Sequence, residues 1–576
     1  MRVIIIGGVA GGMSAATRLR RLDETAEIIV IEQGDYVSFA NCGLPYYVGG
    51  VIPERQSLLL QTPESLRARF ALDVRTRHQA VAIDRAAKTV SIRDTRTRTI
   101  THEAYDHLIL ATGATPRDAF GQIEGGPVVS TLRTIDDVDR ITLALQEVPG
   151  TGRAAEPKKR AVVAGGGFIG LEAVENLVHR GLDVTLVQHG AHPLSPLDPE
   201  MAAVVVDELT ARGVDLRMHT SVQSMDADGV HLDDGTIVPA DIVIDARGVR
   251  PAASIATDAG LATGPTGGIA VDGLQRTNDP RIVAVGDAVE KIDAISAEPT
   301  LVTMAGLANR HGRTAADAIA WEHGLLEERP DDAVPAVGTA IVGVFGLAVA
   351  MVGWSERRLT DAGRAHRVIH AHPADHASYY PGSERLTMKM LVDPDTDLIL
   401  GAQVIGRHGA DKRIDVIATA MQAGLTASQL SRLELAYAPQ FASAKDPVNM
   451  LGYIADNAAT GLTESIQWHE VDAAVAAGAT VIDVRTEAEH AGGSIPGSLN
   501  VPVDELRERI DDLPPGELIV HCQVGQRGHT AVRLLRQRGR RARNLDGGYL
   551  TWAAGTRMSA DARESAGTGI REKEMA

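Results

Sequence analysis

The sequence predicts a multidomain α/β chain, and three observations carry that expectation. A strand, a glycine turn and a helix open the chain, the same unit recurs beyond residue 160, and a smaller α/β unit closes it after a run of alternating strands. At 576 residues, with roughly 150 residues to a domain, there is room for about four compact units. The apolar fraction of 44% and charged fraction of 23% are those of a globular protein with sizeable cores. A net charge of -18, from 57 basic and 75 acidic residues, argues against a nucleic-acid partner. Only two cysteines occur, Cys42 and Cys522, so no disulfide framework is expected and a reducing cytoplasm suits the chain. The first strand starts at Val3 with no signal-peptide layout. Val337 to Trp354 carries no charge over eighteen residues, the length at which a membrane helix has to be weighed. Gly338, Gly343, Gly346 and Gly353 interrupt it, and Gly346 divides it into two strand-length runs, so buried antiparallel strands and no membrane are expected.

The first unit runs from Val3 to Ile6 through Gly7-Gly8-Val9-Ala10-Gly11-Gly12 into a helix over Met13 to Leu22, then a strand from Glu27 to Ile31. Glu32 ends that strand, where an acid can hold a ribose hydroxyl. Val9 stands at the middle glycine position, and an ordinary α/β turn is the competing reading. The second unit has the strand Arg160 to Ala164, the turn Gly165-Gly166-Gly167-Phe168-Ile169-Gly170, a helix to about Arg180 and the strand Asp183 to Val187. Here every glycine position matches. Two such units imply two Rossmann-like domains and two dinucleotides. Leu108 to Ala114 and Ile282 to Ala288 each read as a short buried strand entering a glycine turn. Asp287 is then suited to accept from a ribityl hydroxyl, although an isolated Gly-Asp is more often a helix cap.

These signals divide the chain into a split nucleotide-binding domain (1–115 and 256–330), a second one (116–255) and an α+β interface domain (331–456) with strand-like runs Thr387 to Val392 and Leu398 to Ile405 and a helix over Lys412 to Gly424. A linker (457–465), a small α/β domain (466–558) and a polar tail (559–576), expected to be disordered, follow.

Cys42 lies in Ser38-Phe39-Ala40-Asn41-Cys42-Gly43-Leu44-Pro45-Tyr46-Tyr47. A buried, inert thiol is the commoner fate of a single cysteine. Gly43 and Pro45 instead suggest a helix start that lowers the thiol's pKa and favours the thiolate. With this block, the Ala-Thr-Gly turn at Ala111 to Gly113, Gly-Gly-Gly-Phe-Ile-Gly-Leu-Glu at Gly165 to Glu172, Gly-Val-Arg-Pro at Gly248 to Pro251 and Val-Gly-Asp at Val285 to Asp287, the chain from Val3 to about Asn457 resembles the coenzyme A-disulfide reductase and NADH-dependent persulfide reductase branch of the pyridine nucleotide-disulfide oxidoreductases. The resemblance implies FAD on Gly7, Gly12, Glu32, Ala111, Thr112, Gly113 and Asp287, and NADH or NADPH on Gly165, Gly167, Gly170 and Glu172. Gln188 stands where an acid would favour NAD and an arginine NADP, so the nucleotide stays open. No Cys-x4-Cys partner follows Cys42, which implies a mixed disulfide, a persulfide or a sulfenic acid on this residue, reduced through the flavin.

The same resemblance implies coenzyme A at a mouth formed by Ser14, Arg18, Arg21, Ser38 and Asn41, with Lys445 and the tyrosines Tyr379 or Tyr380 and Tyr437 contributed by the second copy of a homodimer. The tyrosine hydroxyls would donate to a leaving thiolate, and interface packing is their competing role. A solvated helix face is the competing reading of Arg18 and Arg21. Strand alternation would let only one of Tyr379 and Tyr380 face inward. His366, His370, His372 and His376 lack the spacing of a zinc site and are expected at a surface or interface, with no metal.

In the last domain, the strand Leu518 to His521 leads into Cys522-Gln523-Val524-Gly525-Gln526-Arg527-Gly528 and a helix over His529 to Gln537. Consecutive amides and a helix amino terminus stabilise a thiolate there, Arg527 adds positive charge, and the loop is expected to expose the sulfur. A phosphatase cradle needs one more residue between cysteine and arginine than the four present. Residues from about Ile466 to Met558 resemble a single-domain rhodanese, through Val481 to Arg485, Ile495 to Asn500, the Cys522 loop and Gly547 to Trp552. That resemblance implies a persulfide on Cys522. The expected activity is reduction of persulfide or polysulfide, with coenzyme A disulfide as a further substrate. The alternatives are NADH oxidation by oxygen through a Cys42 sulfenic acid, and a flavin-based redox sensor or sulfur carrier.

Overall fold

Why the chain folds as two parallel sheets is visible in its first strands. The computed structural model describes residues 1–117, 120–146 and 159–573. Arg2–Ile6 pairs in parallel with Glu27–Ile31 on one side and His107–Leu110 on the other. Its alternate residues face two cores: Val3 and Ile5 meet Ala15, Leu19 and Ile319, while Ile4 and Ile6 meet Ile92, Tyr105 and Ile269. A strand covered on both faces needs an unbroken apolar run, which Val3 to Ile6 supplies. The sheet is completed by Asp73–Arg75 at one edge and Ile282–Ala284 at the other, so the chain leaves this unit and returns to it.

The intervening chain forms a second five-stranded parallel sheet, in the order Asp215–Met218, Asp183–Gln188, Arg160–Ala164, Ile242–Asp245 and Val128–Ser130. Both units thus have the expected architecture. The helix Ala10–Leu22 packs on the long helix Ala305–Glu322, which locks the returning segment onto the first unit.

The third unit is an antiparallel sheet backed by Ala410–Gln422 and Pro447–Ala459. The uncharged stretch becomes the hairpin Ala340–Val344 and Leu347–Gly353, turning at Phe345 and Gly346, whose positive φ values of 50° and 87° suit a tight hairpin turn. Among the described residues no helix is long and apolar enough to cross a membrane. The carboxy-terminal unit is a parallel sheet in the order Ser465–Ile466, Arg541–Leu545, Glu517–His521, Thr480–Asp483 and Leu499–Asn500. Its last helix spans Gly548–Lys573, so residues 559–573 continue a helix where a disordered tail is expected, and 574–576 lie outside the described residues. Alanine and charged residues in this stretch are strong helix formers, which the polar composition alone obscures. The stretch expected as linker is likewise entered by the helix ending at Ala459.

The carboxy-terminal unit is docked through buried charge. His370 donates from its amide (2.9 Å) and from Nδ1 (2.8 Å) to Asp546, and its Nε2 meets Glu200 of the second nucleotide unit at 3.0 Å. Lys389, fully buried, pairs with Asp198, Glu200 and Glu356, and so fills a cluster of carboxylates that otherwise has metal-binding spacing. Neutral His372 sits alongside, its value pushed down to about 3 by burial and by His370, with its Nε2 on the Thr551 hydroxyl at 2.8 Å. The histidines expected at a surface or interface therefore include two that join domains within the chain.

The two carboxylates raise His370 from 6.5 to about 9 against the opposing effect of burial. A raised histidine stabilises the fold fully below pH 6.5 and ceases to do so as pH rises through 9. His370→Leu should cost about 3 kcal/mol at neutral pH, because it leaves buried carboxylates short of a partner. Urea unfolding of both proteins across this pH range should show their difference shrinking as pH approaches the upper end; a pH-independent difference would contradict the assignment.

Candidate active site

The two glycine turns are built alike. A Cβ on Gly7, which has φ of +109°, would collide with the Ala111 carbonyl, and one on Gly165, at +104°, would press on the Ala246 carbonyl. Gly12 and Gly170 lie equally close to the carbonyls of Gly7 and Gly165, so each helix can start directly behind its turn. Val9, at the variant position, opens the helix Ala10–Leu22 without disturbing this geometry. Nothing stands within 4 Å of a Cβ built on Gly167 or Gly113, which leaves open backbone for a phosphate or ring to approach. Thr112 is held by its hydroxyl, which donates to the Ala252 carbonyl at 2.7 Å.

Glu32 accepts from the amides of Gly8 (2.9 Å) and Gly34 (2.8 Å). Gln188 reproduces the first of these bonds, with its Oε1 accepting from Gly166 at 2.8 Å. The amide therefore performs the structural task of the acid while withholding its charge from the nucleotide. These features fit two dinucleotides, one at each turn.

Cys42 is exposed and sits in a single turn of 3-10 helix, Asn41–Gly43, ahead of the short helix Leu44–Val48. The loop is drawn back to the first glycine turn by Ser38, whose left-handed backbone (φ 48°) lets its amide donate to Gly8 at 2.7 Å. Asp287 approaches from the returning segment and Glu172 from the helix Phe168–His179. The expectation of a lowered thiol pKa fails here. Partial burial, then the charges of Glu172 and Asp287, push Cys42 above its ordinary value, and the helical turn behind it is too short to compensate. Glu172 and Asp287 are themselves raised, chiefly by burial. Tyr46, pushed up to about 12, donates to Glu172 at 3.3 Å. Lys291, lowered to about 8 by burial, donates to the carbonyls of Gly286 (2.6 Å) and Val289 (2.8 Å) and faces Asp287.

At the suggested mouth, the helix face of Ser14, Arg18 and Arg21 is partnered, not simply solvated. Ser14 donates to Asn309 at 2.7 Å, Arg18 pairs with Asp317 at 2.6 Å, and Arg21 lies over the Phe70 ring. Asn41 is exposed. Tyr379 and Tyr380 lie in a turn, not a strand, so alternation does not choose between them. Tyr379 shares a 2.9 Å hydroxyl contact with Tyr437, whereas Tyr380 packs edge-on against His376. All three, and Lys445, are exposed. Among the described residues no hydrogen bond joins them to the Cys42 segment of their own chain.

Cys522 is fully buried, contrary to the expectation of an exposed sulfur. The turn at Gly547 and Gly548 closes over its loop, with Tyr549 donating to the Cys522 carbonyl at 2.8 Å and Leu550 to that of Gln523 at 3.1 Å. The following helix starts at Gln526, so Arg527 belongs to its first turn. Arg527 lies beside the thiol but is gripped by both oxygens of Glu489, at 2.8 and 2.6 Å. Arg485 is held by Asp483 and in turn fixes Gln523 at 2.9 Å. His521 is buried, kept neutral with a value pushed down to about 4, and its Nε2 has no hydrogen-bond partner. Tyr46, Asn309, Lys291 and Glu489 escaped sequence reasoning. Tyr46 lies in the Ser38–Tyr47 segment and Glu489 completes a Thr-x-x-Glu capping box, but their partners Glu172 and Arg527 are remote in sequence.

Residues 1–319 match the family described as pyridine nucleotide-disulphide oxidoreductase, 339–447 its dimerisation domain and 467–555 the rhodanese-like domain. The chain is 32% identical over 452 residues to a coenzyme A disulfide reductase of Staphylococcus haemolyticus, covering 78% of this chain and 98% of the relative. The crystal structure of reduced Bacillus anthracis CoADR-RHD superposes with a TM-score of 0.91 at 42% identity, covering 96% of this chain and 98% of the other. A NAD-dependent persulfide reductase from A. fulgidus gives 0.86 at 34%, covering 96% and 100%. A water-forming NADH oxidase from Lactobacillus brevis, at 22% identity and 0.72 over 80% of this chain and 99% of the other, shares the fold.

In a Cys522→Ser background, Glu172→Gln should move the midpoint of Cys42 alkylation to lower pH, because one of the two charges that raise the thiol is gone. Iodoacetamide rates measured against pH report it. An unmoved midpoint would remove Glu172 from the site's electrostatics.

Proposed function

Because the chain belongs to the pyridine nucleotide-disulphide oxidoreductases, we propose that it is an FAD-dependent, NAD(P)H-driven reductase of persulfide, polysulfide or coenzyme A disulfide that works through Cys42 and carries sulfane sulfur on Cys522. The observation that carries this reading is the position of Cys42. It is the one thiol outside the carboxy-terminal unit, it is exposed, and Asp287 from the first nucleotide unit and Glu172 from the second converge on it.

Gly7, Gly12, Glu32, Ala111, Thr112, Gly113 and Asp287 would hold FAD, and Gly165, Gly167, Gly170 and Glu172 the nicotinamide dinucleotide. FAD, when bound, supplies the electrons that NAD(P)H delivers as hydride. Gln188 presents a neutral amide at the ribose end, which supports use of NADH or NADPH.

The Cys42 thiolate attacks one sulfur of the substrate's S–S bond, a new S–S bond to Cys42 forms, and the departing thiolate or hydrosulfide carries away the electron pair of the broken bond. Two electrons then cleave the bond on Cys42, restoring its thiolate and releasing the sulfur it carried as a thiolate or hydrosulfide. Tyr46 donates to Glu172 at 3.3 Å beside Cys42, which would orient that carboxylate at the sulfur site. Ser14, Arg18, Arg21, Ser38 and Asn41 would form the mouth for coenzyme A. A second copy of the chain would complete that mouth with Tyr379, Tyr380, Tyr437 and Lys445, whose exposure suits an interface role. Two free thiols support a reducing, cytoplasmic setting.

Steady-state oxidation of NADH and NADPH with coenzyme A persulfide, coenzyme A disulfide, polysulfide or oxygen tests the reading. Cys42→Ser should lose roughly 10³-fold or more in turnover of every sulfur substrate. Full activity in that variant would overturn the assignment, and turnover with oxygen alone would point to an oxidase. Cys522→Ser should retain coenzyme A disulfide reduction and lose turnover of sulfane sulfur delivered through the carboxy-terminal unit.

A further inference from the structure

The cations beside Cys522 are already taken. Arg527, which lies against the thiol, is held end to end by Glu489 through two bonds of 2.8 and 2.6 Å. Glu489 is itself fixed, because its Oε2 also accepts from the amide (3.0 Å) and hydroxyl (3.1 Å) of Thr486 at the start of the helix Glu487–Ala491. Arg485, the other guanidinium reaching the loop, is neutralised by buried Asp483, which also takes His490 at 2.9 Å. His521 is neutral, and His529 is engaged with Thr463 at 2.7 Å. Arg527 thus reaches Cys522 with its charge already shared with Glu489, beside the amino terminus of the twelve-residue helix Gln526–Gln537.

That arrangement separates two kinds of sulfur donor. Transfer requires the Cys522 thiolate to attack the outer sulfur of the donor. The Cys522–sulfur bond forms as the donor's S–S bond breaks, and the leaving group departs with the electron pair. From thiosulfate the leaving group is sulfite, a compact anion that needs a free cation at the mouth of the loop. From an organic persulfide it is a thiolate whose substituent extends away from the loop. A carboxylate beside the leaving group repels the first far more than the second.

We propose that Glu489, by sequestering Arg527, sets the donor specificity of the Cys522 site: sulfane sulfur carried on an organic thiol is accepted and thiosulfate is rejected. The inference rests on the reading of Cys522 as a sulfur carrier. Glu489 determines specificity and takes no part in bond making. Glutamine can keep the capping box with Thr486, so Glu489→Gln releases Arg527 while preserving the local helix start.

The full chain should be assayed for transfer to cyanide from thiosulfate and from coenzyme A persulfide, as wild type, Glu489→Gln and Glu489→Gln with Arg527→Gln. The readout is the ratio of kcat/KM for the two donors, in which any misfolded fraction cancels. Wild type should favour coenzyme A persulfide by at least about tenfold, and Glu489→Gln should shift the ratio toward thiosulfate by about tenfold. Removing Arg527 as well should reverse that shift. A wild-type preference for thiosulfate, or a ratio unmoved by Glu489→Gln, overturns the proposal while leaving the carrier role standing. Failure of both donors to load Cys522 overturns the carrier role and the proposal with it.

Discussion

The return of Ile282–Ala284 to the edge of the first parallel sheet is the constraint on which the rest of the molecule depends. It makes the second nucleotide unit an insertion within the first, so the two glycine turns are held in one body instead of being strung along the chain. It also delivers Asp287 to the same place as Cys42, while the helix behind the second turn delivers Glu172. Parallel pairing enforces this, since a strand buried on both faces leaves no freedom of register. The packing of Ala305–Glu322 on Ala10–Leu22 then fixes the returning segment over the helix that carries Ser14, Arg18 and Arg21.

The two thiols occupy opposite environments. Cys42 is exposed, yet partial burial and the charges of Glu172 and Asp287 disfavour its thiolate. Cys522 is buried, in a loop that leads into the helix Gln526–Gln537. One thiol is exposed and electrostatically restrained; the other is sterically covered.

The carboxy-terminal unit is more than a tethered appendage. His370, Asp546 and Glu200 belong to three different units and meet in a buried network, with Arg557 adding a surface pair to Asp207 at 2.8 Å. Gly547, whose Cβ would meet both His370 and Thr551, follows Asp546 directly and belongs to the turn that closes over Cys522. The docking contact and the Cys522 loop are therefore adjoining parts of one structure.

Local patterns carried much of this architecture. Apolar runs, glycine turns and the hairpin at Phe345 and Gly346 depend on neighbours a few residues away, and for the same reason the two nucleotide units, the uncharged strand pair and the Cys522 loop were legible in the amino-acid order. The block around Cys42 carried the family resemblance. Charge and accessibility were not legible, because they depend on residues distant in sequence. Cys42 is raised by Glu172 and Asp287, Gln188 takes over the bond made elsewhere by Glu32, and His370 finds partners 170 and 176 positions away. Sequence by itself determined the family and where the chain's two cysteines stand within local motifs, since motifs depend on near neighbours. Only the tertiary structure decided how each is protonated, covered and paired, because electrostatic fields and burial are set by what folding brings within a few ångströms.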